Sequence, residues 1–155
     1  MRSSLVGSEM CIRDRTKPYV RLMIAVIISE FNKEIVDGLL EGCKKSLKDH
    51  KLNIIKVPGA FELPASAQKC VESERYDAVI TLGCVIKGDT DHYDYICQAV
   101  SNGIMNISIK SHIPVLFGVL TCQNAQQAFE RSRDNDFNKG FEVGNAAKSL
   151  LESTR

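Results

Sequence analysis

The chain alternates between short apolar runs and longer stretches in which apolar residues recur every three or four positions. Apolar runs that are rich in β-branched residues and bounded by polar turns predict strands. The predicted strands span residues 20–28, 54–57, 78–82 and 113–121. The predicted helices span residues 35–47, 60–70, 95–107, 124–131 and 141–151. Because strand and helix alternate, the predicted fold class is α/β, with about four parallel strands and helices on both faces of the sheet.

Polar residues, glycine and proline set the predicted ends of these elements. Asn32 and Asn124 each precede a helix and are good N-caps. Residues 49–53 are predicted to form a polar turn, and residues 58–59 end the second strand. Pro64 is compatible with the helix that contains it because it lies in the first turn, where no amide hydrogen bond is lost.

The first fifteen residues differ from the remainder of the chain. Residues 1–15 have neither a strand period nor a helix period. Residues 5–15 resemble a translated sequencing adapter, because residues 10–14 can be written as codons of the transposon end used to make fragment libraries. We interpret residues 1–15 as adapter read-through on a truncated gene fragment, the alternative being a disordered natural tail. The folded domain is then expected to occupy residues 16–155.

Composition and charge narrow the class of function. The length of 155 residues suits one domain, and 44% hydrophobic with 25% charged residues is typical of a soluble globular protein. A net charge of +1 argues against nucleic acid or an acidic membrane as a partner, and no apolar run is long enough to span a bilayer. The six cysteines show no CxxC pair and no Cys/His metal spacing, which predicts no metal site and a reducing cytoplasmic location.

The strongest candidate for chemistry lies between the third predicted strand and the helix after it. Residues 87–92 read Lys-Gly-Asp-Thr-Asp-His, and ligands of open α/β sheets bind at this kind of position. Amide N–H groups at a helix start favour an anion, and His92 supplies a side chain that titrates near neutral pH. The alternative is ordinary capping of the helix by Asp89 or Thr90, with His92 as a solvated surface residue.

The other strand ends should reach the same edge of the sheet. Phe31 follows the first strand, residues 58–62 follow the second, and Phe117 lies within the fourth. An exposed aromatic ring there could stack on a flat heterocycle. The alternatives are that Phe31 is a hydrophobic staple against its own helix and that Phe61 and Phe117 are core residues. His50 and His112 fall in turns remote from this edge and are interpreted as surface residues.

Two longer blocks and four shorter ones resemble a known enzyme family. The longer blocks are VPGAFELP at residues 57–64 and GCVIKGDTDHYDYIC at residues 83–97. The shorter blocks are SEFN at residues 29–32, IPVLFGVLT at 113–121, QQAFER at 126–131 and NKG at 138–140. All six resemble the 6,7-dimethyl-8-ribityllumazine synthase family, in order and at similar spacing. The chain departs from the family in a shorter link around residues 51–53 and in an acidic residue, Asp89, where phosphate should bind.

The resemblance implies a fold, a reaction and a site. The implied fold is a three-layer, flavodoxin-like α/β/α sandwich. The implied reaction condenses 5-amino-6-(D-ribitylamino)uracil with 3,4-dihydroxy-2-butanone 4-phosphate, without metal or cofactor. His92 is the implied proton-transfer residue. The residues implied to bind the substrates are Phe31, Ala60, Phe61, Glu62, Cys84, Val85, Ile86, Phe117 and Lys139. The residues implied to hold phosphate are Asp89, through its backbone, Thr90 and Arg131.

The resemblance also implies a homo-oligomer built from pentamers. Phe117, Arg131 and Lys139 would then come from the neighbouring subunit, so that the site lies between subunits. Alternatives remain for individual residues and for the class of function. Arg131 could be a surface arginine at a helix end, and Cys84 as a nucleophile is the least favoured role because no base accompanies it. The rival classes are a flavin- or lumazine-binding or shell-forming homologue without catalysis, and the archaeal-type riboflavin synthase on the same fold.

Residues 1–15 are predicted to be dispensable. A chain that starts at Thr16 should match the full chain in melting temperature and in lumazine synthase activity, because the removed segment carries no periodic pattern. Thermal unfolding and turnover of the two chains, measured side by side, test this. A clear loss of either property would show that the segment is native structure.

Overall fold

The structure, a computed structural model, describes residues 20–153. The four strands are β1 (Met23–Ser29), β2 (Lys51–Val57), β3 (Ala78–Ile86) and β4 (Val115–Cys122). The helices are α1 (Lys33–Ser46), α2 (Leu63–Glu72), α3 (His92–Lys110), α4 (Ala125–Glu130) and α5 (Lys139–Ser153), with a 3₁₀ turn at Ala60–Glu62. This alternation confirms the predicted α/β class. The interpretation of residues 1–15 lies outside the described residues.

All four strands pair in parallel, in the order β2-β1-β3-β4. The pairing keeps the strands nearly level, since Ser29 of β1 lies beside Val57 of β2 and Ile28 beside Leu82 of β3. The carboxyl ends therefore share one edge of the sheet. The strand order reverses between β1 and β3, and ligands of open α/β sheets bind in the crevice at such a reversal.

Two helical layers cover the sheet and enclose two apolar clusters. On β1, Ile24, Val26 and Ile28 face the layer formed by α1, α4 and α5, whereas Ala25 and Ile27 face α2 and α3. Because neighbouring strand residues point to opposite faces, an almost continuously apolar strand needs a cover on both sides. The result is the three-layer sandwich that the sequence predicted.

The strands are longer than predicted at two places, and the predicted bounds there are wrong. Residues 51–53 belong to β2 and do not form a turn, because each of them pairs with β1, beginning with Met23 beside Lys51. The turn lies earlier, where the amide of His50 donates to the carbonyl of Leu47 at 2.9 Å. Residues 83–86 extend β3 because they pair with the end of β4. These residues form strand because they pair with a neighbouring strand, although their own sequence has only a weak strand period.

Asn32 is the N-cap position of α1 as predicted, but the expected side-chain cap there is wrong, whereas the side-chain cap at Asn124 is confirmed. Asn32 adopts a left-handed backbone (φ 57°, ψ 48°), and its side chain does not cap α1. Its Nδ2 instead donates to the carbonyl of Cys84 at 3.0 Å, which ties the end of β1 to the end of β3. Asn124 Oδ1 accepts from the amide of Gln127 at 2.9 Å, as an N-cap should.

Helices α1 and α5 pack closely because glycine lies where they meet. A Cβ atom at Gly140 would overlap the carbonyl oxygen of Leu39, and one at Gly144 would overlap the hydroxyl of Ser46. The first obstacle is backbone and cannot rotate away. The close approach matters for function because residue 139, at the start of α5, is one of the predicted site residues.

Replacing Gly140 with alanine is predicted to destabilise the protein. Alanine gains about 1 kcal/mol of helix propensity over glycine, but overpacking against rigid backbone costs about 1–3 kcal/mol. We expect a net loss in the free energy of unfolding, measured by denaturant titration. Gly88→Ala is the matched control, because a Cβ at Gly88 has nothing within 4 Å. Equal stability of the two variants would contradict the packing argument.

Candidate active site

A cleft of about 390 Å³ opens at the carboxyl edge of the sheet, where β1 and β3 end. Eight of the predicted site residues line it: Phe31, Ala60, Phe61, Cys84, Val85, Ile86, Thr90 and His92. Its remaining lining residues are Gly59, Gly88, Tyr93 and Ile96. We call this the first cleft. It brings together the links that follow three different strands, so residues separated by up to about sixty positions in the chain meet there.

Main-chain hydrogen bonds hold these links against each other. The amide of Glu30 donates to the carbonyl of Val57 at 2.8 Å, and the amide of Phe31 donates to the carbonyl of Pro58 at 3.1 Å. These bonds continue the β1–β2 pairing beyond the strands. They place Phe31 beside the 3₁₀ turn that carries Phe61. The bond from Asn32 to the carbonyl of Cys84 fixes the same link to β3.

The aromatic side chains at the first cleft are exposed. Phe31 is 70% exposed and Phe61 is 59% exposed. The alternative that Phe61 is a core residue is therefore wrong, and the exposure of Phe31 does not support a staple against its own helix. Two open rings on an otherwise apolar wall can hold a flat ring system by stacking.

The turn before α3 presents free backbone donors. The amide of Lys87 extends the β3–β4 pairing by donating to the carbonyl of Cys122 at 2.9 Å. The amide of His92 donates to the hydroxyl of Thr90 at 3.3 Å, and the Asp91 side chain does not cap the helix. No acceptor among residues 20–153 takes the amide N–H groups of residues 88–91. An anion at this turn would find these donors and the positive end of α3.

Burial keeps the Cys84 thiol neutral. Burial, with a smaller contribution from neighbouring Cys122, raises the pKa of Cys84 to about 12. A thiol with this pKa is almost entirely protonated at neutral pH, and only the thiolate is a good nucleophile. Cys84 therefore contributes an apolar wall to the first cleft, in agreement with its low rank as a nucleophile in the sequence analysis.

Tyr93 is a lining residue that the sequence analysis did not select. Burial raises the pKa of Tyr93, with a further rise from charge on Cys97, and Thr121, which lies near the hydroxyl, opposes the rise. Its position directly after His92, in the first turn of α3, was the available signal. The contact with Thr121 could not be predicted from the sequence, because it depends on how α3 packs against β4.

The three residues expected from a neighbouring subunit line a different cleft. Phe117, Arg131 and Lys139 belong to a second cleft of about 570 Å³ beside the edge strand β4. The other residues that line this second cleft are Val119, Leu120, Thr121, Cys122, Gln127 and Glu130. Phe117 is 36% exposed, so it is not the core residue considered as an alternative. Within one chain, the structure does not bring these three residues together with His92.

The two cationic side chains of the second cleft, Lys139 and Arg131, differ in whether a carboxylate pairs with them. Lys139 Nζ pairs with Glu142 Oε1 at 3.0 Å. No carboxylate among residues 20–153 forms an ion pair with Arg131. Burial raises the pKa of Cys122, and the positive charge of Arg131 opposes this rise, so the guanidinium acts on the end of β4. Arg131 is thus available to an anion that enters the cleft.

Two predicted site residues line neither cleft. The carboxylate of Glu62 accepts from the amide of Gly59 at 3.0 Å and so closes the 3₁₀ turn. Asp89 is exposed in the turn before α3. The two other histidines also lie apart from the first cleft: His112 is exposed before β4, whereas His50 is partly buried and its Nδ1 accepts from the amide of Leu22 at 3.3 Å. His50 is therefore not the surface residue that was expected.

The family model of 6,7-dimethyl-8-ribityllumazine synthase matches residues 21–155 of the chain. The chain belongs to this family. The match covers nearly the whole chain and confirms the resemblance found in the sequence. Lumazine synthases are transferases of riboflavin biosynthesis, and the parallel four-stranded α/β sandwich is consistent with their flavodoxin-like fold. Among the helices of the described residues, none is both long and apolar enough to cross a membrane.

Proposed function

We propose that the chain condenses 5-amino-6-(D-ribitylamino)uracil with 3,4-dihydroxy-2-butanone 4-phosphate to 6,7-dimethyl-8-ribityllumazine, with release of phosphate and water. The observation that carries this proposal is the composition of the first cleft. Exposed aromatic rings, unused amide donors and a histidine meet there, and these are the groups that a flat pyrimidine, a phosphate and a proton transfer require.

In this proposal the pyrimidine stacks on Phe31, and its ribityl chain runs along the 3₁₀ turn at residues 60–62. The exposure of Phe31 and the apolar wall formed by Val85 and Ile86 support this arrangement. Glu62 contributes mainly by holding the turn, since its carboxylate already accepts from Gly59. Cys84 contributes shape, because its thiol stays protonated.

The phosphate of the second substrate binds at the turn before α3. The unused amide groups of residues 88–91 and the hydroxyl of Thr90 supply donors for it. The Asp89 carboxylate is exposed and can point to solvent while its amide faces the anion. Arg131 completes the site, because its planar guanidinium binds two oxygens at once and stays charged at any working pH.

His92 transfers protons during the condensation. The amine of the pyrimidine attacks the ketone carbon, and loss of water gives an imine. Phosphate then leaves by elimination, and the enol that remains becomes a ketone at the neighbouring carbon. The ribityl-bearing nitrogen attacks this ketone, and loss of a second water closes the ring. Each step moves a proton, and an imidazole at the cleft wall can donate or accept it. Much of the acceleration should nevertheless come from holding the two reactants together.

We further propose a homo-oligomer based on pentamers, in which the second cleft of one copy completes the first cleft of its neighbour. The separation of Arg131 and Lys139 from His92 within one chain supports this arrangement. A surface for the contact is available on α3, where Tyr95, Met105 and Ile109 are exposed although they are large and apolar. Exposed apolar residues that share a helix commonly mark an interface.

His92→Ala is predicted to lower turnover while leaving assembly intact. General acid–base catalysis typically contributes about 10²–10⁴-fold, and the loss here should fall at the low end because water can replace the imidazole in part. Steady-state kinetics across pH and light scattering after size-exclusion chromatography provide the measurement. His112→Ala, an exposed histidine away from both clefts, is the matched control. Unchanged turnover of His92→Ala at every pH would remove His92 from the mechanism.

Arg131→Ala is predicted to raise the KM for the butanone phosphate far more than the KM for the pyrimidine. A hydrogen bond to a charged group is worth roughly 1.5–3 kcal/mol, which corresponds to about 10–150-fold in affinity. Arg133→Ala is the matched control, since Arg133 is an exposed arginine two residues away that does not line the second cleft. Equal weakening of both substrates would contradict the phosphate assignment.

The same variants test whether the site is shared between subunits. When the impaired His92→Ala and Arg131→Ala chains are co-assembled, some interfaces contain one intact His92 and one intact Arg131. Partial return of activity is expected. With subunit exchange verified by mass spectrometry, no recovery would argue against a shared site.

A further inference from the structure

The two cations of the second cleft are joined through one loop. Residues 131–138, which we call the arginine loop, begin at Arg131 and end just before Lys139. The amide of Lys139 donates to the carbonyl of Arg131 at 2.8 Å, which closes the loop at its base. The position of both cations relative to the sheet therefore depends on what holds this loop in place.

One buried side chain ties the arginine loop to α1. Asn138 is 5% exposed, and its Nδ2 donates to the carbonyls of Ser132 at 2.9 Å, Arg133 at 2.9 Å and Gly38 at 3.2 Å. Its Oδ1 accepts from the amide of Phe141 at 3.0 Å. An amide group has two donor hydrogens, so the three carbonyls share them, and its oxygen accepts from α5. It connects the arginine loop, the middle of α1 and the first turn of α5.

Glycines of α1 provide the space for this connection. A Cβ atom at Gly42 would overlap Oδ1 of Asn138, and one at Gly38 would overlap the carbonyl oxygen of Ser132. The other link from the loop to α1 is the exposed ion pair between Lys45 and Asp134, with 2.5 Å between Nζ and Oδ1. Exposed pairs of this kind contribute little, so Asn138 carries the attachment.

We propose that Asn138 is a positioning residue for phosphate recognition: by tying the arginine loop to α1, it sets where Arg131 and Lys139 stand in the second cleft. The inference rests on the proposed function of that cleft. A residue that merely stabilised the fold would affect both substrates alike. A residue that positions the cations should affect the phosphate-bearing substrate selectively, because a misplacement of about 1 Å can be costly at a binding site.

The test is steady-state kinetics of Asn138→Ala in the assembled protein. We expect the KM for the butanone phosphate to rise about tenfold, the lower end of the range for loss of a charge-assisted contact, with the KM for the pyrimidine changed less than twofold. Asn135→Ala is the matched control, because the Asn135 side chain bonds to Glu130 and Phe137 and not to α1. Val71→Ala, in the opposite layer, controls for stability loss without contact to the loop.

Gly42→Ala provides a second variant in case Asn138→Ala does not fold. It displaces the Asn138 side chain from the α1 side and should give the same selective rise in KM. Equal changes in both KM values, no change, or the same selectivity in either control would overturn the inference. Failure of both variants to assemble would also overturn it, because Asn138 would then be a determinant of the fold.

Binding of inorganic phosphate, measured by calorimetry, separates this inference from the proposed function. If the wild type turns over both substrates but Asn138→Ala binds phosphate as the wild type does, the positioning role alone is wrong. If the wild type shows no turnover, the proposed function is wrong. In that case, loss of phosphate binding in both Asn138→Ala and Arg131→Ala would still support the positioning role.

Discussion

Parallel pairing of β1 with β3 is the constraint on which the rest of this structure depends. The link after β1 leads to α1 on one face of the sheet, and the link after β3 leads to α3 on the other face. The two links must diverge, and a crevice opens between them. The bond from Asn32 to the carbonyl of Cys84 spans the crevice and fixes its width. The cleft residues that follow β1 and β3 take their positions from this arrangement, and the main-chain bonds from the β1 link to Val57 and Pro58 bring residues 59–61 beside them.

The division of site residues between two clefts follows from the sheet order. The first cleft lies at the centre of the sheet, between β1 and β3, whereas the second lies beside β4 at the sheet edge. Both clefts open at the surface of the chain, so the second cleft of one copy can face the first cleft of its neighbour. In the proposed function the site draws on both regions and therefore uses two chains. This links the proposed oligomer to the chemistry and gives assembly a direct role in phosphate binding.

Helix α1 connects the two regions mechanically. It begins directly after Phe31 and Asn32 at the first cleft. Its glycines at 38 and 42, which contact the arginine loop, lie about two to three turns beyond Phe31. The close packing of α1 against α5 leaves little freedom between these points, because protein interiors are densely packed. The spacing of aromatic and cationic groups within one chain is thus a property of one rigid helix pair.

Local patterns in the sequence determined the class of fold and, together with the family resemblance, most of the first cleft. Apolar periodicity and turn residues act over a few positions, so they were sufficient for four strands, five helices, the cap at Asn124 and the motifs around Phe61 and His92. Tertiary structure decided what depends on other parts of the chain. It placed residues 51–53 in β2 and joined the Asn32 side chain to the carbonyl of Cys84. It also used Glu62 to close a turn and placed Tyr93 against Thr121. The separation of Arg131 from His92 belongs to the same group. Strand pairing and hydrogen bonds between residues tens of positions apart leave no periodic trace in the chain, and only packing in three dimensions selects them.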